Sequence, residues 1–412
     1  MLKALIALLS TAGVVIFVAS TTVQAEELTV EDFDVNGTLG SQGSVIEKLG
    51  TNHFRMILGH APNHPEWCNK AQFRILRHAR GNSLRLEVVF PGGPSMRLNE
   101  YFMSWSYDGA NWHPIHWEDG TAKAATADTL QFPVFEQDTV WVGHQVPMSY
   151  EDSVQLVKEW SRNTNVSVTI VGKSLGGRNL YRVTITDPES DVPPRQRWVH
   201  YFANQHPGEH NSQWRMVAMV NWLLSDEGTD FRRRSICHFL LMMSPDAPSK
   251  GWYRVNAEGV DMNRSYRAGG SCPELQPHEA YLCQHDLEAL MASPTPVTSA
   301  WSMHTWGGVV EPILLPGPEM GTTLGPWTEL RDAIAANDPQ GLVKKLAVSK
   351  GKDASTLWDA GIHAQFGISA VLCEGAGIID TRERNLASGE ALMKGIAQYY
   401  RGVKPLASGT GQ

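Results

Sequence analysis

Beyond its first 25 residues the chain has no apolar run long enough to span a bilayer, no basic excess and no CxxC pairing. Each absence excludes something. Lys and Arg number 35 against 43 Asp and Glu, a formal net charge of -8, so no surplus of cations exists to neutralise a phosphate backbone. A nucleic-acid partner is thereby excluded. The short run Arg232-Arg233-Arg234 reads as a solvated helix end. Without a later span, no membrane contact is expected of the mature protein. Five cysteines are an odd count that leaves at least one thiol free, and they are too scattered for a closed thiolate zinc site. Cys237 and Cys373 lie inside apolar segments and read as core residues. Cys272 and Cys283 flank a loop and could close a disulfide in an oxidising compartment.

Charge is scarce at the N-terminus too. Lys3 is the one charged residue among the first 25; Ala4 to Ala19 is almost wholly apolar, and Val23-Gln24-Ala25 ends in small-residue cleavage chemistry. Met1 to Ala25 therefore reads as a signal peptide. The apolar run is short for a spanning helix, Glu26-Glu27 follow at once, and no cysteine follows to carry a lipid. An exported protein, periplasmic or extracellular, is expected.

What is present is an ordinary globular composition, 42% apolar and 19% charged, in a chain of 412 residues, enough for two domains with a core each. Residues 26–147 are rich in alternation and turn residues: Phe73 to Arg77, Ser83 to Phe90 and Tyr101 to Ser106 read as strands, with turns at Pro91 to Pro94 and Asp108 to Asn111. That pattern predicts a small antiparallel β-sandwich. Trp105, Trp112, Trp117 and Trp141 there read as core packing before a sugar-binding platform. From residue 148 the periodicity changes. Ser149 and Asp152 form a capping box ahead of the stripe Val154, Leu156, Val157 and Trp160. A hairpin follows over residues 166–185, and strands at 198–203, 236–243, 297–303 and 368–373 alternate with helices through 216–223 and near 279–291, 327–337 and 382–400. The prediction is α/β, a mixed twisted sheet flanked by helices, over residues 148–405, with a flexible tail at 406–412.

The candidate chemistry gathers where those strands end. His206-Pro207-Gly208-Glu209 follows the apolar run Trp198 to Ala203, and His304 follows Val297 to Met303. Open α/β sheets place their sites there. Two imidazoles and a carboxylate, with a fourth position open, are the ligand set of catalytic zinc. Taken alone the tetrad is weak, because any His and Glu three apart on a helix match it. Arg254 and Arg264 lie on the loop after the strand at 236–243 and suit an anionic group, although arginines on a solvated loop are the alternative. Glu374, just past the strand at 368–373 and flanked by Gly375 and Gly377, can take a proton from water.

Together these motifs resemble the zinc carboxypeptidase family, in the branch of cytosolic carboxypeptidases and their bacterial relatives with an N-terminal β-sandwich. The residues that carry the resemblance are the His206 to Glu209 tetrad with Gln205 before it, Tyr253-Arg254, Gly259-Val260-Asp261-Met262-Asn263-Arg264, His304, Glu374 and Gly172 to Arg178 in the hairpin. It covers nearly all of the mature chain. It implies one zinc ion held by His206, Glu209 and His304, and a peptide substrate whose terminal carboxylate is clasped by Asn263 and Arg264. It further implies that Arg254 stabilises the oxyanion and that Glu374 acts as general base and then as proton donor to the leaving amine. The implied function is that of a metallocarboxypeptidase cutting C-terminal peptide bonds. Three departures accompany it: no tyrosine occurs between Tyr281 and Tyr399, where the family carries one that touches substrate, Ser244-Pro245-Asp246-Ala247 replaces Asn-Pro-Asp-Gly, and His304 is followed by the bulky run Thr305-Trp306-Gly307-Gly308. The missing tyrosine keeps an alternative open, a zinc esterase or amidase acting on a non-peptide acyl group such as a glycan ester or cell-wall peptide.

Overall fold

The structure is a computed structural model describing residues 26–92, 102–115, 127–306, 313–316, 327–338, 341, 347–348, 355–377 and 379–402. The leader, the tail and Trp117 lie outside the described residues. In chain order the front region runs β1 (Phe33–Asp34), β2 (Val45–Gly50), β3 (His53–Ile57), β4 (His60–Ala61), β5 (His64–Cys68) and β6 (Phe73–Ile75). It continues with β7 (Leu84–Val89), β8 (Met103–Ser106), β9 (His113–Ile115), β10 (Ala127–Phe132) and β11 (Val140–His144).

These strands form a five-stranded sheet, β1-β6-β11-β8-β9, facing a four-stranded sheet, β10-β7-β3-β2. Pairing is antiparallel except between β3 and β7. Alternation explains the packing: Leu84, Leu86 and Val88 of β7 point inward with Phe54 and Met56 of β3, and meet Phe73, Ile75, Val140 and Val142 from the opposite sheet. Trp105 packs partly against this core, while Trp112 and Trp141 join the core of the second region, so these three tryptophans pack as structure.

The second region comprises α1 (Tyr150–Trp160), β12 (Val166–Lys173), β13 (Asn179–Ile185), β14 (Trp198–Ala203), α2 (His210–Leu224), α3 (Thr229–Arg234), β15 (Ser235–Leu240) and α4 (His278–Met291). Then come β16 (Ser299–Trp306), β17 (Ile313–Pro316), α5 (Trp327–Ala336), β18 (Ala347–Val348), α6 (Trp358–Phe366), β19 (Ser369–Ala376) and α7 (Arg382–Arg401). The sheet order is β12-β13-β15-β14-β16-β19-β17-β18. Its middle strands β15, β14, β16 and β19 run parallel, and the hairpin β12–β13 joins β15 antiparallel, so the sheet is mixed as predicted.

Period-two alternation divides the two faces. Trp198 and Phe202 of β14, Cys237 and Phe239 of β15 and Trp301 and Met303 of β16 face α1, α2, α5 and α7. Val199, Tyr201, Ala203, Ile236, Leu240 and Ala300 face α4 and α6. A parallel sheet covered on both faces in this way reads as continuous apolar runs in sequence.

Four expectations are corrected. β16 and β19 continue to Trp306 and Ala376, so His304 and Glu374 lie inside strands, paired in register with each other, rather than at strand exits. Cys272 and Cys283 are free thiols: Cys283 faces the core on α4, and Cys272 Sγ turns to Glu274. Arg232 is no solvated helix end but is buried, donating to the carbonyls of Leu223 and Ser225 and so satisfying the frayed end of α2. Helix α6 and the short strands β17 and β18, absent from the prediction, complete the site side of the sheet.

Candidate metal centre

The tetrad forms because β14 must stop. Asn204 Nδ2 bonds the carbonyl of Met303, and Pro207-Gly208 turns the chain into α2. Gly208 is required there, since a Cβ would lie 2.7 Å from Tyr253 Cα. Glu209 then stands at the N-cap position of α2, where the helix dipole favours a carboxylate.

One ligand atom each from His206, Glu209 and His304 lies within 4.8 Å of the others, and all three residues are buried. His206 Nδ1 is 2.7 Å from Glu209 Oε1, His304 Nδ1 is 2.8 Å from Glu209 Oε2, and the two Nδ1 atoms are 3.1 Å apart. Ligands around a tetrahedral zinc sit roughly 3.3 Å from one another, given bonds of about 2.0–2.2 Å. The donor set therefore fits the ion by type and by spacing. The ring of His206 is oriented from behind: its Nε2 is 2.9 Å from Asp261 Oδ1, and an ionised carboxylate can only accept, so Nε2 carries a proton there and Nδ1, the atom facing Glu209, is the one that could take a metal. Thr305 N–H donates to Glu209 Oε2 at 2.9 Å, fixing the carboxylate as well.

The electrostatics follow from burial and charge. Burial pushes the Glu209 carboxyl up, but the imidazoles of His206 and His304 outweigh it and hold the group below the ordinary glutamate range. Asp261 behaves alike: burial is opposed and overcome by His206 and by Arg254, whose guanidinium reaches Asp261 Oδ2 through two bonds of 3.1 and 2.8 Å. Glu374 is the opposite case. Burial and the charge of Glu209 push it well above 4.5, with Arg254 and Arg215 pulling the other way. Its Oε2 has no partner among the described residues. A carboxyl poised above its usual range at a site is suited to proton transfer near neutrality.

The other sequence-predicted residues divide. Arg254 joins the metal-site network through Asp261. Asn263 is buried, and its Oδ1 accepts from the backbone of Trp358, tying the loop to α6. Arg264 is exposed and donates to the carbonyl of Asn263. Asp359 on α6 is buried, and burial raises it to about 6 against the pull of Arg264. Sequence reasoning assigned no role to Asp261 although the residue lies inside a quoted motif; the clue was a carboxylate on a loop with two site residues after it. Tyr253, quoted beside Arg254 without a role of its own, has its hydroxyl 3.4 Å from Glu209 Oε1, while Lys70, whose Nζ donates to the carbonyl of Gly208 at 2.6 Å, carried no clue.

Solved structures of metallocarboxypeptidases share this fold. The metallo-carboxypeptidase from Burkholderia cenocepacia superposes with a TM-score of 0.72 at 19% identity, covering 90% of this chain and 99% of that one. The metallo-carboxypeptidase from Pseudomonas aeruginosa, in complex with (2-guanidinoethylmercapto)succinic acid, gives 0.71 at 19% identity, covering 89% and 98%.

Residues 155–288 match the family described as zinc carboxypeptidase. Cytosolic carboxypeptidase 2 of Danio rerio is 33% identical over 159 residues, 37% of this chain and 22% of that protein. The human protein of that name is 33% identical over 148 residues, 34% of this chain and 16% of its own length. The chain thus matches only a minor part of these curated relatives.

Proposed function

We propose that the chain is a zinc-dependent carboxypeptidase that releases C-terminal residues from peptides. The observation carrying this reading is the meeting of His206, Glu209 and His304 beside Glu374, with His304 and Glu374 opposite each other on adjacent strands. His206, Glu209 and His304 would hold one zinc ion, which when bound polarises a carbonyl and activates water. Glu374 takes the proton of the attacking water and passes it to the departing amine, its raised affinity for protons suiting both halves of the task. Arg254 supplies a fixed positive charge where the oxyanion develops, and Asp261 holds that guanidinium in place. Arg264, exposed on the loop, clasps the terminal carboxylate, while Asn263 positions that loop against α6.

Elemental analysis of the purified protein tests the metal, with one zinc per chain expected. Glu374→Gln separates binding from chemistry: zinc should remain while turnover of a peptide library drops roughly 10²–10⁴-fold. Full activity in that variant would rule out the assigned base. Esters of acylated sugars serve as competing substrates. If they are hydrolysed while peptides are not, the reaction is not the one proposed.

Export belongs to the same proposal. Met1 to Ala25 has the composition of a removable leader. N-terminal sequencing of protein made in its native host should begin at Glu26, and recovery of intact Met1 from a soluble cytoplasmic fraction would count against it.

A further inference from the structure

The front sandwich reaches into the metal centre. Lys70, two residues past β5, is 2% exposed, and its Nζ donates to the carbonyl of Gly208 at 2.6 Å. It crosses 138 positions of sequence to do so. The peptide N–H of the same glycine donates to the carbonyl of Tyr253 at 2.9 Å, so the residue preceding the ligand Glu209 is gripped at both ends. Tyr253 completes the clamp. Its side chain belongs to the apolar core of the sandwich, its hydroxyl reaches Glu209 Oε1 at 3.4 Å, its ring lies 5.9 Å from Lys70 Nζ, and His144 at the end of β11 stacks on it at 6.5 Å. Lys70 is anchored in turn by its own N–H, which donates to Gly251 O at 2.8 Å.

A buried amine is costly unless its hydrogen bonds are made. Burial pushes Lys70 well below the ordinary lysine range with Glu209 pulling the other way, and in either protonation state its N–H donates to a backbone carbonyl of the tetrad. Ordinary interdomain packing would be served by an apolar residue in this slot.

We propose that Lys70 is a positioning residue for the metal centre, holding the Gly208 carbonyl so that Glu209 is presented in ligand geometry. The front sandwich is then part of the active site rather than an appended module. The inference rests on the zinc reading above.

Zinc affinity, measured on the full chain by competition with a fluorescent chelator, tests it without reference to turnover. Lys70→Met, which keeps length and loses the donor, should weaken zinc binding at least tenfold, the lower end of what loss of an outer-shell partner costs. Lys70→Gln, whose amide is too short to reach Gly208, should lose as much, so the test survives if one variant does not fold. Lys70→Arg should recover most of the affinity. Asn69→Ala, which removes a neighbouring bond to Gln42 O and touches nothing in the tetrad, should leave it unchanged. Zinc affinity within threefold of the parent in Lys70→Met or Lys70→Gln overturns the proposal, as does an equal loss in Asn69→Ala. A parent protein that binds no zinc would instead sink the underlying reading.

Discussion

At the scale of single residues, the site is a set of charges that must be kept apart in affinity for protons. Glu374 is raised by burial and by Glu209, and Arg254 pulls it back. A base must be ionised to act, so kcat/KM should fall as pH drops through this raised value, at higher pH than an ordinary glutamate would give. Arg254→Met removes the opposing cation; it should move that acid limb further up and cost roughly 10²–10³ in rate, the size of a lost oxyanion contact. Arg264→Ala should act on KM, raising it about 10–100-fold for peptides with a free terminus and leaving amidated peptides untouched. Asp359 affects stability. Its carboxyl rises from 3.8 to about 6 on folding, so the folded state binds the proton more tightly, and the stability this gives is present below pH ~4 and lost as pH climbs through about 6. Asp359→Asn should therefore raise the unfolding free energy at pH 7.5 by about 1–3 kcal/mol, seen as a higher melting temperature, with no difference below pH ~4. An unchanged Tm at neutral pH would contradict it. His206, Glu209, His304 and Glu374 were legible in the sequence because each sits in or beside an apolar strand run, whereas the role of Asp261 was not, since its loop marked the residue but nothing local named His206 as its partner.

At the scale of elements, the metal loop depends on a strand, a two-residue turn and a helix start agreeing on one geometry. Gly208→Ala drives a Cβ to 2.7 Å from the Tyr253 backbone, so one side must move. The expected result is at least tenfold weaker zinc binding with α2 intact by circular dichroism. Elsewhere the local rules hold unaided. Ser149 Oγ accepts from Asp152 N–H at 3.0 Å while Asp152 returns a bond to Ser149 N–H, the capping box read from sequence, and Ser149→Ala should cost about 1 kcal/mol in denaturant unfolding. The hairpin turn is tied down by Asp246, which accepts from Ser174 Oγ and Gly176 N–H, each at 2.9 Å. That aspartate remains in Ser244-Pro245-Asp246-Ala247 although its neighbours differ from the family pattern. Strand ends were misjudged because β16 and β19 continue on each other's hydrogen bonds beyond the point where apolar alternation stops.

At the scale of the whole molecule, the two regions share apolar surface. Leu39, Phe102, Trp112, Val146 and Met148 pack in one core with α2 and α7. The domain division proposed at residues 147–148 is therefore one of chain order more than of independent stability. The full chain should unfold in a single calorimetric transition, and a fragment starting at Ser149 should aggregate, its front-facing apolar surface uncovered. Two separated transitions would contradict this. Composition and alternation were enough to predict a β-sandwich followed by a mixed α/β sheet, and spacing was enough to nominate two histidines and two glutamates, because periodicity and turn chemistry are properties of consecutive residues. The tertiary structure alone decided that Asp261 orients His206, that both cysteines of the suspected bridge stay free, and that Lys70 from the front reaches Gly208. Those outcomes depend on which distant surfaces become buried against each other, and desolvation, unlike periodicity, is written in no single segment of the chain.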